Sequence, residues 1–168
     1  MRFDSLQDVF AEQLNDLRSA EQQLVEALPK MAGAASTDEL RTAFEDHLAQ
    51  TRGHLERIDD VIASTGVAKT GEECKGMKGL IAEGSEIVQA QGDPIARDAA
   101  LIAAAQRVEH YEIAAYGTVV TLAGQLDFDD EKDTLGQTLD EEETADKLLT
   151  KIATGGMFRA GLNEKATR

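Results

Sequence analysis

The chain has a single cysteine, Cys74, in 168 residues. One thiol excludes an intrachain disulfide. With three histidines beside it, a thiolate-rich zinc site is excluded as well. Basic residues are scarce: 17 Lys and Arg stand against 32 Asp and Glu, for a formal net charge of −15. That balance argues against a general basic surface for nucleic acid or for an anionic membrane, and it is compatible with attracting cations. No apolar run is long enough to span a bilayer, and the opening residues hold no apolar signal core, so the expected compartment is the cytoplasm. Strand signals are missing too. The sequence shows no alternating runs, no hairpin dipeptides and no repeat of solenoid length.

What remains is helical. Hydrophobic content is 42% and charged content 29%, which suits one globular domain over residues 1–168. Apolar residues recur at helical spacing in four long segments, expected at about 4–32, 36–65, 94–124 and 128–154. Asp4 or Ser5 can cap the first, and Pro29 should kink or end it. Ser36-Thr37-Asp38-Glu39 reads as a capping box for the second, with Gly66 as its stop. Asp93-Pro94 starts the third, and Gly155-Gly156 ends the fourth. A short, glycine-interrupted connector helix is expected at about 74–91, lying over the bundle as a crossover. The tail, 157–168, reads as short, polar and mobile.

Each long segment carries polar residues in the middle of an apolar stripe. The first stripe runs Leu14, Leu17, Glu21, Leu24. The second runs Phe44, His47, Thr51, with Gln50 and His54 flanking His47. The third runs Leu101, Ala105, Val108, Glu112, Tyr116, with Glu109 one turn before Glu112. The fourth runs Leu135, Leu139, Glu142, Asp146, Leu149, with Glu143 beside it. A buried carboxylate is costly unless paired or bound to metal. In an antiparallel bundle the mid-helix positions meet at one level. Carboxylates and imidazoles there have the layout of a dinuclear metal site, in which Glu residues and Glu-x-x-His pairs project inward. Hard oxygen donors with imidazole suit iron or manganese, with zinc as a substitute. His110 points away from the stripe and is expected to be exposed. Cys74 and Met77 are expected to pack in the connector, since Glu72 and Glu73 oppose a reactive thiolate.

Five stretches carry a family resemblance: LRSAEQ at 17–22, FEDHLAQT at 44–51, CKGMKGL at 74–80, VEHYEIAAYG at 108–117 and EEETAD at 141–146. Through them the chain resembles the YciE/YciF family of ferritin-like bacterial stress proteins, itself similar to rubrerythrin-type and ferritin-type di-iron bundles. The resemblance implies an all-α, ferritin-like four-helix bundle with a short crossover helix between helices two and three. It implies two iron ions as cofactor, with manganese or zinc possible alternatives, a ferroxidase-type reaction with oxygen or peroxide, and a homodimer. Glu21 would be the carboxylate of the first helix. Glu109 and Glu112 would match the Glu-x-x-Glu of rubrerythrin-like sites. Glu143 and Asp146 would occupy the Glu-x-x-His of the fourth helix, with Asp in place of His, or Glu142 would take the place of Glu143. Where relatives read His-x-x-Glu-Thr, this chain reads His47-x-x-Gln50-Thr51, and His54 lies one turn further. Tyr111 and Tyr116 are candidate hydrogen-bond donors or electron carriers beside the site.

The other reading is a non-catalytic bundle, a stress or interaction protein whose inward carboxylates hold a structural ion or none. A DNA-protecting role would need a basic extension, and the tail offers only Arg159, Lys165 and Arg168.

Overall fold

Helix signals and helix ends explain most of the architecture in the computed structural model, which describes residues 2–156 and 159–167. Six helices lie among these residues: α1 (Leu6–Ala34), α2 (Asp38–Thr65), α3 (Lys75–Val88), α4 (Pro94–Gln125), α5 (Asp129–Thr154) and α6 (Leu162–Ala166). Ser5 caps α1 in a reciprocal capping box with Asp8. Asp93 caps α4, with Pro94 in its first turn. Gly66 ends α2 at φ 71°, a left-handed conformation that glycine adopts without strain.

α1 packs on α2, α2 on α5, α5 on α4 and α4 on α1, closing a four-helix ring. Two apolar clusters fill it. One gathers Leu24, Leu28, Leu40, Phe44, Leu101 and Leu149. The other gathers Phe10, Leu17, Ile58, Ile62, Tyr116 and Leu135. Each helix of the ring passes from one cluster to the other, and neighbours pass in opposite senses. α2 and α4 pass in the same sense, so a crossover must join them. α3 supplies it, packing against α1 and α4. This is the expected all-α, ferritin-like bundle with a crossover helix.

Three features differ from the sequence reading. α1 runs through Pro29 to Ala34, because Ala27, Leu28, Met31 and Ala32 are all buried and their packing outweighs the lost backbone hydrogen bond. Thr37 caps α2 without a side-chain hydrogen bond to the helix. Its hydroxyl is turned instead to Asp98 of α4, which accepts from the backbone N–H and hydroxyl groups of both Ser36 and Thr37. The segment read as a mobile tail carries α6, with Leu162 only 3% exposed and packed against α4 and α5. A two-residue antiparallel pairing, Gly155–Gly156 with Arg159–Ala160, leads into it. Gly161 lets the turn close, since a Cβ there would stand 2.3 Å from the Ala153 carbonyl oxygen. Residues 157, 158 and 168 of that expected tail lie outside the described residues.

Candidate metal centre

Between the two apolar clusters lies a polar layer to which every helix of the ring contributes. On α1, Ala20 and Leu24 turn into the core and carry Glu21 with them. On α2, His47, Thr51 and His54 follow the buried Phe44 at one-turn intervals. On α4, Glu109 and Glu112 lie one turn apart, between Val108 and Tyr116. On α5, Glu142 follows the buried Thr138 by one turn. Glu21, His54, Glu112 and Glu142 are 0% exposed, Glu109 3% and His47 6%.

These six residues form two donor sets. His47, Glu109, Glu112 and Glu142 each bring one donor atom, all within 4.8 Å of one another, and Glu21, His54 and Glu142 do the same. Glu142 belongs to both. His47 Nε2 lies 3.5 Å from Glu109 and 3.6 Å from Glu142. His54 Nδ1 lies 2.8 Å from Glu142 and 3.4 Å from Glu21.

The atoms are close yet not aligned as hydrogen bonds. Glu21 Oε2, both nitrogens of His47, His54 Nδ1, Glu109 Oε2, and both oxygens of Glu112 and of Glu142 have no hydrogen-bond partner. Buried polar atoms without partners cost about 1–3 kcal/mol each. Here they converge on shared space, which is what a cation-binding centre requires. The donor chemistry fits as well: four carboxylates carry a formal charge that two divalent cations balance, and oxygen with imidazole suits hard or borderline metals.

Electrostatics within the metal-free layer follow from burial. Desolvation pushes Glu109 and Glu112 well above the usual carboxylate range, and the neighbouring Glu142 pushes further. Glu21 is raised by burial, against the pull of His54. Burial lowers His47. Burial opposes the charged form of His54 also, but its contacts with Glu142 and Glu21 outweigh that and hold it at about 10. Burial would raise Glu142 too, yet His54 and His47 keep it below its ordinary value.

A supporting shell fixes the orientation of these groups. His54 Nε2 is 2.8 Å from Glu141, whose carboxylate also accepts two bonds from Arg57. With Nε2 committed to Glu141, Nδ1 is the nitrogen left for a cation. Burial would raise Glu141, but the Arg57 guanidinium first and then His54 outweigh it and hold it at about 2. Tyr116, fully buried, donates its hydroxyl to Glu21 Oε1. Thr51 donates to the His47 carbonyl.

Other residues singled out in the sequence fall outside the donor sets. Gln50 is exposed and stands in the outer cleft beside His47. Glu143 is half-exposed and pairs with Lys147 at 3.0 Å. Asp146 accepts from Gln106 at 3.0 Å and lies 3.6 Å from the exposed His110, so it sits behind Glu109 and not among the converging atoms. Of the alternatives in the acidic run, Glu142 is the one that points inward. Tyr111 turns away from the layer, donating to Asp16, with Cys74 Sγ 3.0 Å from its hydroxyl. Cys74 and Met77 are buried in the connector, as expected. Arg57 and Glu141 were not singled out by the sequence. The signal for Arg57 was its place one turn after an inward histidine.

No helix among the described residues is long and apolar enough to cross a membrane. The model of a domain of unknown function, DUF892, matches residues 5–163. Protein YciF of Escherichia coli strain K12 is 44% identical over 165 residues, covering 98% of this chain and 99% of YciF. The crystal structure of that E. coli stress protein superposes with a TM-score of 0.86 at 46% identity, over 89% of this chain and 94% of the other. YcfI from Rhodopseudomonas palustris superposes with a TM-score of 0.85 at 38% identity, over 89% and 96%.

Proposed function

Because the chain belongs to the DUF892 family, with a stress protein among its relatives, we propose that it is a ferritin-like dinuclear-metal protein of ferroxidase type, handling oxygen or peroxide under stress. One observation carries the reading: the unpartnered, fully buried donor atoms of four helices converge in two sets that share Glu142. Glu109, Glu112 and His47 would hold one cation, Glu21 and His54 the other, with Glu142 between them. Two iron ions held there would supply one-electron chemistry toward oxygen or peroxide.

The chain's own groups prepare that chemistry. Glu141, backed by Arg57, orients the His54 ring. Tyr116 fixes Glu21 through Oε1, leaving Oε2 free to face a cation. The apolar clusters above and below keep bulk water from the two ends of the layer. Protons held on the raised carboxylates Glu109 and Glu112 leave when cations arrive. The test is anaerobic loading with Fe(II) followed by mixing with oxygen or peroxide. Oxidation faster than that of Fe(II) in buffer, and lost in Glu112→Ala, supports the reading. Oxidation at the buffer rate by a folded chain overturns it.

A second reading has its own observation. His54 in its charged form faces Glu21, Glu141 and Glu142, and Arg57 pairs with Glu141, so this half of the layer offsets most of its charge without a cation. On that basis the chain is a non-catalytic bundle holding at most one structural ion at the His47 set. Metal stoichiometry separates the two.

A further inference from the structure

A cleft of about 180 Å³ opens between α2 and α5 toward the centre. At its floor are His47 and Glu109, 6% and 3% exposed, whose Nδ1, Nε2 and Oε2 atoms have no hydrogen-bond partner. At its mouth are Asp46 and Gln50, both exposed. Leu148, 42% exposed, forms a rim.

A small residue of α5, Ala145, is part of the cleft wall. Ala145 lies three residues after Glu142, where dinuclear bundles of this kind place the histidine of a Glu-x-x-His pair. A methyl group at that position leaves the His47 side open. The opposite side is closed. Glu21, His54 and Tyr116 are 0% exposed, and Glu141 with Arg57 covers the outer edge of His54.

We propose that this cleft is the doorway through which a divalent cation reaches the buried centre, with Asp46 and Gln50 at the mouth handing it to His47 and Glu109. The His47 position fills first, and the His54 position fills through it. The inference rests on the reading of the layer as a metal centre. It assigns to Gln50 and Asp46 a transient, water-side role that neither has as a resident donor. Asp46 supplies charge that attracts the cation, and Gln50 supplies a neutral oxygen that binds it weakly enough to release it.

The experiment is stopped-flow uptake of Co(II) by the full chain, followed by the visible absorption of the bound ion, with final stoichiometry measured by dialysis. Leu148→Trp narrows the mouth from a residue that supplies no donor atom. Leu6→Trp, at a second exposed leucine far from the cleft, controls for surface substitution. The doorway predicts that Leu148→Trp slows uptake about tenfold and reaches the wild-type final occupancy. It predicts that Leu6→Trp changes neither, and that Asp46→Asn slows uptake in a manner that fades as salt is raised. Uptake by Leu148→Trp at the wild-type rate overturns the doorway and leaves the metal centre standing. No Co(II) uptake by the folded wild-type chain overturns the metal reading and the doorway with it.

Discussion

Glu142 Oε1 lies 2.8 Å from Nδ1 of His54, and that carboxylate also belongs to the donor set of His47, Glu109 and Glu112. One side chain of α5 therefore links the two halves of the centre. Glu142→Ala is expected to abolish both positions, lowering bound metal from about two ions per chain to none. His47→Ala removes a donor from one set only and should leave about one ion per chain. Metal analysis after dialysis against Co(II) distinguishes these outcomes. Equal loss in the two variants would show that Glu142 has no shared role.

Glu141 acts through His54. Glu141→Gln keeps the shape but weakens the grip on Nε2 and on Arg57. Loss of such a partner behind a metal-binding histidine typically costs about 10–100-fold in affinity. A competition titration against a chelator should show that drop with unchanged stoichiometry. Unchanged affinity would make Glu141 a surface residue with no bearing on the centre.

The same atoms that could hold a cation burden the metal-free chain. Both oxygens of Glu112 are buried without a hydrogen-bond partner. Glu112→Leu should stabilise the metal-free protein by about 1–3 kcal/mol, read from urea unfolding, while weakening metal binding. A destabilised metal-free Glu112→Leu would mean that the carboxylate already has a favourable role in the empty layer.

Metal-free stability should depend on pH with a definite sign. Glu109 and Glu112 titrate well above their ordinary value in the folded chain, so folding retains protons that the unfolded chain has released. His54 behaves alike, moving from 6.5 to about 10. Each contribution is full below the unfolded value and fades as pH rises through the folded one, with a slope of up to about 1.4 kcal/mol per pH unit per proton. On the acid side, Glu141 at about 2 and the lowered Glu142 and His47 act in the opposite sense, losing their contributions as pH falls. The urea midpoint of the metal-free chain should decline from pH 6.5 toward 10, and saturating Co(II) should remove that decline by replacing protons with cations. A midpoint that rises over this range without metal would contradict the burial-driven shifts.

Some of this centre was legible in the sequence because it breaks a pattern. Glu21 and Glu112 occupy positions where the stripe calls for leucine, and the helical period alone places them inward. Glu109, one turn before Glu112, follows from the same spacing. The acidic run at 140–143 was not resolvable in that way. Glu142, Glu143 and Glu141 are alike in polarity, and the phase of α5 is set only by how Thr138 and Leu149 pack. Asp146 was drawn inward and lies instead beside Gln106, since a small rotation of α5 exchanges one for the other. Arg57 lies one turn after an inward histidine, but its pairing with Glu141 joins two helices, and no local pattern announces that contact. Asp98 is buried for a similar reason: its partners, Ser36 and Thr37, lie in a turn more than fifty residues away in sequence. α6 went unread because its polar composition hides the one leucine that docks it.

The most direct measurement of the central claim is anaerobic equilibrium dialysis of the full chain against Fe(II), with Glu142→Ala beside it and folding of both checked by circular dichroism. The account predicts about two irons per wild-type chain and none above background in the variant. Wild-type protein that is folded and binds no more iron than Glu142→Ala would contradict it.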